Sequence, residues 1–485
     1  MKKTFAIILC ILLAISSVAI SWCGKAEETR NSYKITCTLS DENQLTGTEE
    51  VVFFNSTEVS IDHLKFNLFG NAFRKDAKYK PISPQYEANS YPNGLSYGEM
   101  KVNAVRVGGK QVEFNIQGED MNVLYVPLSK AVYPDESVTV EIDFWLKLAN
   151  VVARTGYNDH TINLGNFYPI LCVYDSDGFY ECVYYANGDP FYSECADYSV
   201  IFTANKDYVV AGGGRKVSRE VVGEKATYRF ELKNARSFAL VLSKEFKTIT
   251  KMQDDVLVNY YYYGDKTPEK SMEYILKSLK YFSKTFGDYV YNDYSVVETA
   301  FVQGGMEYPS LVMISDSLEE RAYGEVIVHE TAHQWWQTAV GNNEIKYGFL
   351  DEGLTEYSVV LFYENHSEYG MKRSVMIKSC EDTYKNYCTV HDKIFGKVDT
   401  SMLRSLGEFK SEYEYVNIAY IKPCIMYDYL RKTIGDGKFF NALEKYYKNY
   451  TFKNATPDDL TGAFEKTGAG TNGFFDSFYS GKVIL

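Results

Sequence analysis

The sequence predicts a multidomain fold in which an all-β domain precedes a mainly α domain. Three observations predict it. The chain has 485 residues, more than one ordinary domain holds. From about residue 30 to 260, apolar and polar residues alternate in short runs between Gly, Asn and Asp turns. Beyond that, apolar residues recur at helical spacing almost to the C-terminus. Hydrophobic residues make up 45% of the chain and charged residues 24%, so core material is ample.

Residues 1–22 come first. Lys2 and Lys3 precede a nearly unbroken apolar run from Phe5 to Ile20, followed by small residues that resemble a cleavage site. This pattern reads as a secretory or lipoprotein signal, so an extracytoplasmic location is expected, either secreted or anchored at the outer face of the membrane. Cys23 is the lipoprotein candidate, although bulky Trp22 stands where a small residue is usual.

Residues 29–262 form the expected β-sheet domain. VTVEIDFWLKL (138–148) and ATYRFELKNARSFALVLS (226–243) read as strands. The glycine run AGGGRK (211–216) lacks the Lys-Ser/Thr of a phosphate loop and reads as a hairpin turn. The character changes at Asp265-Lys266-Thr267-Pro268, so residues 263–485 form the second domain. Its first helix is SMEYILKSLKYFSKTFG (271–287), ended by Gly287.

Net charge is −13, which argues against nucleic acid and anionic membrane surfaces as partners. None of the nine cysteines forms a C-x-x-C pair, so buried free thiols are expected. The 43 tyrosines must often sit half-buried, with their hydroxyls near water.

The stretch VHETAHQWW (328–336) carries the chemistry. His329 and His333 are four residues apart, which stacks both rings on one helix face. Two imidazoles there can share one Zn²⁺, and Glu330 lies beside them. Chance alone would put H-E-x-x-H in roughly one chain in two hundred of this composition. Apolar Val326, Ile327, Ala332, Trp336 and Val340 support an amphipathic helix ending at Gly341-Asn342. Glu352 follows His333 by nineteen residues within LDEGLTEY, on the next expected helix. His329, His333 and Glu352 make an open catalytic zinc set of one ion per chain. Glu356, one turn beyond Glu352, is placed to orient a ligand histidine. Asp351 is expected to cap the helix or to form a salt bridge nearby. His63, His160, His366 and His391 lack ligand spacing and read as ordinary surface or core histidines.

At these residues the sequence resembles the gluzincin zinc aminopeptidases, the family of aminopeptidase N and the leukotriene-hydrolysing aminopeptidase. HETAHQWW with DEG matches its zinc motif. GGMEYP (304–309) stands where the family has G-x-M-E-N, with Tyr308 in place of Asn. IAYIKPCIMYDYL (418–430) matches its tyrosine helix through Tyr420 and Lys422. Pro423 replaces the usual Gly, and since proline suits a first helical turn, that helix is expected to start near Tyr420. The resemblance implies a saddle-like N-terminal sheet, a thermolysin-like catalytic domain and no C-terminal helical-repeat domain.

It also implies removal of N-terminal residues from peptides with a free amino end. Glu330 would be the general base and Tyr420 the oxyanion donor, with Tyr413 and Tyr415 as rivals for that hydroxyl. Glu307 would pair with the substrate ammonium, which makes an exopeptidase of a general peptidase. Gly304, Gly305 and Met306 would complete the substrate-binding strand. A thermolysin-type endopeptidase and a catalytically silent peptide-binding protein on the same fold are the alternatives.

Overall fold

The computed structural model describes residues 30–468 and 470–482. The expected signal and Cys23 lie outside those residues. Among the described residues no helix is long and apolar enough to cross a membrane, and all seven cysteines are free thiols.

The N-terminal part is built from strands of period two. In Ser32–Leu39, Tyr33, Ile35, Cys37 and Leu39 are buried while Lys34, Thr36 and Thr38 face solvent. This strand pairs antiparallel with Gln44–Phe54 and parallel with Ala196–Asn205 at the centre of an eight-stranded sheet. Two four-stranded sheets pack with it around one continuous apolar core. The expected strand at 138–148 is Ser137–Lys147. The stretch 226–243 divides into Lys225–Ala235 and Leu240–Ser243, which lie in different sheets.

That division corrects the reading of AGGGRK as a hairpin. Val209–Gly212 pairs with Leu240–Ser243, whereas Arg215–Val222 pairs with Lys225–Ala235. The glycines carry the chain from one sheet to another, with Gly214 at φ +71°. A glycine run signals a turn but not which strands flank it.

Helices take over at Pro268–Phe286, which ends at Gly287 with φ +135°. One five-stranded sheet straddles the 262/263 division. Lys247–Gln253 and Val256–Tyr262 lie before it, and Asp293–Thr299, Leu311–Ser315 and Gly305–Met306 after it. The helix Pro268–Phe286 is the crossover that lets Val256–Tyr262 pair in parallel with Asp293–Thr299.

Two helix boundaries differ from expectation. The histidine helix, Glu320–Ala332, stops at His333 rather than at Gly341-Asn342. Gly341 has another use, since a Cβ there would collide with the Arg236 guanidinium. Arg236 donates to the carbonyls of Gln337 (2.8 Å), Ser193 (3.0 Å) and Lys453 (2.6 Å), tying the β part to the exit of the histidine helix. The tyrosine helix does not begin near Tyr420. Helical backbone starts at Glu412, passes through a π-turn at Val416–Ile421, and continues as Lys422–Ile434. Proline lacks an N–H for the carbonyl four residues back and its ring crowds that carbonyl. The wider π-turn just before Pro423 absorbs the conflict without ending the helix.

Candidate active site

The histidine helix and the helix Phe349–Asn365 pack face to face and bring His329, His333 and Glu352 together. His333 Nε2 lies 3.1 Å from His329 Nε2 and 3.2 Å from Glu352 Oε2, and His329 Nε2 is 3.4 Å from that same oxygen. A tetrahedral ion with bonds of ~2.0–2.1 Å needs ligand atoms about 3.3 Å apart, so the three side chains fit zinc.

Each ligand is oriented from behind. His333 Nδ1 is 2.9 Å from the Trp336 carbonyl. A carbonyl only accepts, so Nδ1 carries the proton and Nε2 keeps its lone pair for a metal. Thr355 Oγ1 is 3.2 Å from the same Nδ1. His329 Nδ1 sits 3.3 Å from Glu356 Oε2, where the sequence put an orienting carboxylate. The Tyr420 hydroxyl donates to Glu352 Oε1 at 2.5 Å, and its ring stacks on His329 with centroids 6.1 Å apart. Asp351 Oδ1 accepts the Glu352 backbone N–H at 2.9 Å in the first turn of its helix, whose N-cap is Gly348 with no side-chain cap, so Asp351 is not the cap.

Glu330 shares the cleft. Its Oε2 is buried and has no hydrogen-bond partner among the described residues. Burial pushes its carboxyl up, and the two imidazoles only partly offset that, leaving it at about 7. Burial would also raise Glu352, but His333 and His329 outweigh it and hold that carboxyl well below the usual range. For His329, burial opposes the charged ring, yet Glu352 and Glu356 prevail and lift it to about 10. A bound divalent cation takes over the role of those ring protons.

The strand Gly305–Met306 lies at the sheet edge beside the cleft. A Cβ on Gly305 would collide with the Glu330 carboxylate, so glycine is required for that approach. Gly304 and Glu307 also line the cleft, and Glu307 Oε1 is buried with no hydrogen-bond partner among the described residues. Met306 departs from the substrate-binding expectation. Its side chain is buried on the opposite side of the strand, where its sulfur accepts from Arg154 Nε at 3.0 Å. Successive strand residues face opposite ways, so Met306 cannot share the cleft with its neighbours. Tyr308 reaches across to the β part and donates to Asn166 Oδ1 at 2.9 Å. Gln334, just past the histidine helix, fixes this segment by accepting from Ser310 N and donating to the Tyr308 carbonyl.

The cleft holds about 360 Å³. Its far wall comes from the β part through Tyr86, Arg154 and Asp189, with Arg154 bonded to Asp189. Glu412 and Tyr415 lie on the tyrosine helix. Tyr415 packs edge-on to Tyr420 at 5.6 Å, while Tyr413 is exposed and lies outside the cleft lining. Sequence reading missed Thr355, Arg154, Asp189, Tyr86 and Glu412. Only Glu412, eight residues before Tyr420 on a helical segment, carried a local signal.

Residues 270–478 match the family model described as the peptidase family M1 domain. The resemblance carried by HETAHQWW and GGMEYP is thus borne out over that segment. Relatives include leucine aminopeptidase 2 of Aspergillus fumigatus, 27% identical over 172 residues, covering 34% of this chain and 27% of that protein. Human aminopeptidase B is 26% identical over 189 residues, covering 36% and 28%. The chain therefore spans little more than a quarter of the curated relatives it matches. The crystal structure of an M1 zinc metallopeptidase from Deinococcus radiodurans aligns with a TM-score of 0.68 at 15% identity over 94% of both chains. A mutant of that enzyme bound to a Tyr-Ser-Ala substrate aligns with a TM-score of 0.65 at 16% identity, again over 94% of both. The two-domain fold, β-rich and then mainly helical, is common to all three.

Proposed function

We propose that this chain is a zinc aminopeptidase that removes N-terminal residues from peptides. The observation that carries the proposal is one cleft holding the His329–His333–Glu352 group, the unpartnered carboxylates of Glu330 and Glu307, and the Tyr420 hydroxyl. The match of residues 270–478 to the M1 peptidase domain, the similarity to human aminopeptidase B, and the Tyr-Ser-Ala substrate bound by the mutant Deinococcus neighbour support it.

Zinc, when bound, polarises the scissile carbonyl and makes water nucleophilic near neutral pH. Glu330 takes the proton of the attacking water on its free Oε2 and returns it to the leaving amine nitrogen. Tyr420 gives its hydrogen bond to the carbonyl oxygen as charge develops there, releasing Glu352. Glu307 receives the substrate ammonium on Oε1, and a blocked or internal residue would leave that buried carboxylate unpaired. Glu356 holds His329 in place, and Gly304 and Gly305 leave room for the peptide backbone. Export, with secretion or attachment through Cys23, belongs to the same proposal and rests on the pattern of residues 1–22.

The test uses free-amine aminoacyl reporters, their acetylated counterparts and a chelated control. Turnover of free amines alone, lost on chelation and restored by zinc, is expected. Cleavage of blocked substrates, unaffected by Glu307→Ala, would overturn the exopeptidase reading in favour of an endopeptidase. A zinc-loaded protein inert towards a wide peptide library would leave the silent binding protein.

A further inference from the structure

The hydrolytic site uses none of the seven cysteines among the described residues. Cys380 alone of them is half-buried, within reach of a reagent from solution, and the rest are buried. The Cys424 thiol donates a hydrogen bond to the Cys380 sulfur, and that contact, followed by burial, pushes the Cys424 thiol well above its ordinary value. Cys172 and Cys182 are also neighbours, but both are only 1% exposed, and the Cys182 sulfur accepts from the Tyr192 backbone instead.

The packing of two helices brings Cys380 and Cys424 together. Arg373–Phe395 and Lys422–Ile434 approach with Cα atoms within 8 Å of one another. Arg373 Nε donates to Asp428 Oδ1 at 2.6 Å towards one end of the seam. Towards the other, the Tyr387 ring meets that of Tyr413, just before the π-turn, at 5.7 Å. The two segments therefore run antiparallel. Cys380 lies two turns from both Arg373 and Tyr387, on the face they share. Cys424 lies one turn from Asp428 and one turn from Tyr420. The two sulfurs meet in the middle of the seam. Met376, one turn before Cys380, and Tyr420, one turn before Cys424, both line the cleft.

We propose that Cys380 and Cys424 are a disulfide-forming pair, a modification site that staples the tyrosine helix to the helix Arg373–Phe395 one turn behind the cleft. Sulfurs already in hydrogen-bond contact need only close to ~2.05 Å. The oxidant is a small disulfide, and the reaction is two exchanges. The Cys380 thiolate attacks one sulfur of the reagent, forms a mixed disulfide and releases one reagent thiol. The Cys424 sulfur gives up its proton, attacks the Cys380 sulfur, closes the bond and releases the second reagent thiol. Two electrons pass from the cysteine sulfurs to the reagent, and the two cysteine protons end on the released thiols. An exported chain meets an oxidising compartment, where such a bond persists.

The test incubates the purified folded protein with excess oxidised glutathione, then alkylates the remaining thiols in denaturant and maps the peptides by mass. A cross-link between the peptides of Cys380 and Cys424, two hydrogens lighter than their sum, is expected, with Cys37, Cys172, Cys182, Cys195 and Cys388 alkylated. Both cysteines alkylated, or a glutathione adduct held on Cys380 while Cys424 is alkylated, would overturn the pair. The cross-linked protein should melt about 4–15 °C above the reduced one, a difference that a reductant removes. Cys380→Ser should melt alike in both conditions. A cross-linked protein that melts no higher than the reduced one, or a rise that survives in Cys380→Ser, would overturn the staple. The mapping and the melting comparison are both made on the wild type, so a poorly folding variant leaves the inference falsifiable. Neither readout depends on the aminopeptidase reading, which stands or falls by its own assay.

Discussion

Buried carboxylates occur in two regions of this molecule and mean different things in each. In the cleft, Glu307, Glu330 and Glu352 are 3–4% exposed. In the eight-stranded sheet, Glu49 is fully buried, and neither of its oxygens has a hydrogen-bond partner among the described residues. It sits on the inward face of Gln44–Phe54, opposite Ile35 and Ile142 on the flanking strands. Burial pushes Glu49 upward, as it does Glu307 and Glu330. The cleft carboxylates, however, face open space, two imidazoles and a guanidinium. Burial perturbs a carboxyl in either setting. Function needs a cavity and opposite charge in front of it as well.

That contrast can be broken most severely at Glu330. Glu330→Gln should lower kcat/KM by about 10²–10⁴-fold on a free-amine reporter while zinc content by elemental analysis stays near one per chain. An equal loss in Glu49→Gln would show that buried carboxyls in the two regions are not distinct.

Tyr420→Phe should cost about 10²–10³ in kcat with KM nearly unchanged, since its hydroxyl serves the transition state rather than the ground state. A rise in KM alone would make it a substrate-binding group. Glu356→Gln should weaken zinc by about 10–100-fold in a competition titration against a coloured chelator, because it supports His329 from behind. Unchanged affinity would reduce Glu356 to a solvated helix-face carboxylate.

The smallest effect sharpens the other side of the comparison. The folded-state pKa of Glu49 is raised, so the folded protein keeps a proton that the unfolded chain loses above about pH 4.3. Its contribution to stability is therefore intact below that pH and declines as pH rises above it. Glu49→Leu removes an unpartnered polar group from an apolar site and should gain about 1–3 kcal/mol at pH 8. Its lead in melting temperature should narrow as pH falls towards 4. A variant less stable than the wild type at pH 8 would mean that Glu49 has a partner.

The metal group was legible because a helix fixes which residues share a face. His329, His333, Glu352 and Glu356 needed only the spacing of two adjacent helices. Thr355 and the Trp336 carbonyl were not legible, since backbone groups and small hydroxyls leave no pattern in a sequence. Tyr86, Arg154 and Asp189 were missed for another reason. They come from the β part, more than a hundred residues from the motif, and their arrival depends on sheet packing. The strands near 138–148 and 226–243 were visible as alternation. Sheet membership was not, so the glycine run at 211–216 passed for a hairpin. Arg236 and Gly341 show the same limit, since the glycine that looked like a helix end instead makes room for a guanidinium from the other part of the chain.

The π-turn at Val416–Ile421 ties the placement of Tyr420 to the length of the chain at that point. A π-turn holds one residue more than the α-helical count, as though a single residue had been inserted and absorbed in place. Deleting one residue between Val416 and Ala419 would restore the ordinary count and leave Lys422–Ile434 in register, so that only residues of the turn itself, Tyr420 among them, would be displaced. In a lineage of such chains, a one-residue gap at this turn would mark a change in how the tyrosine hydroxyl is presented, without any change in the helix that follows it.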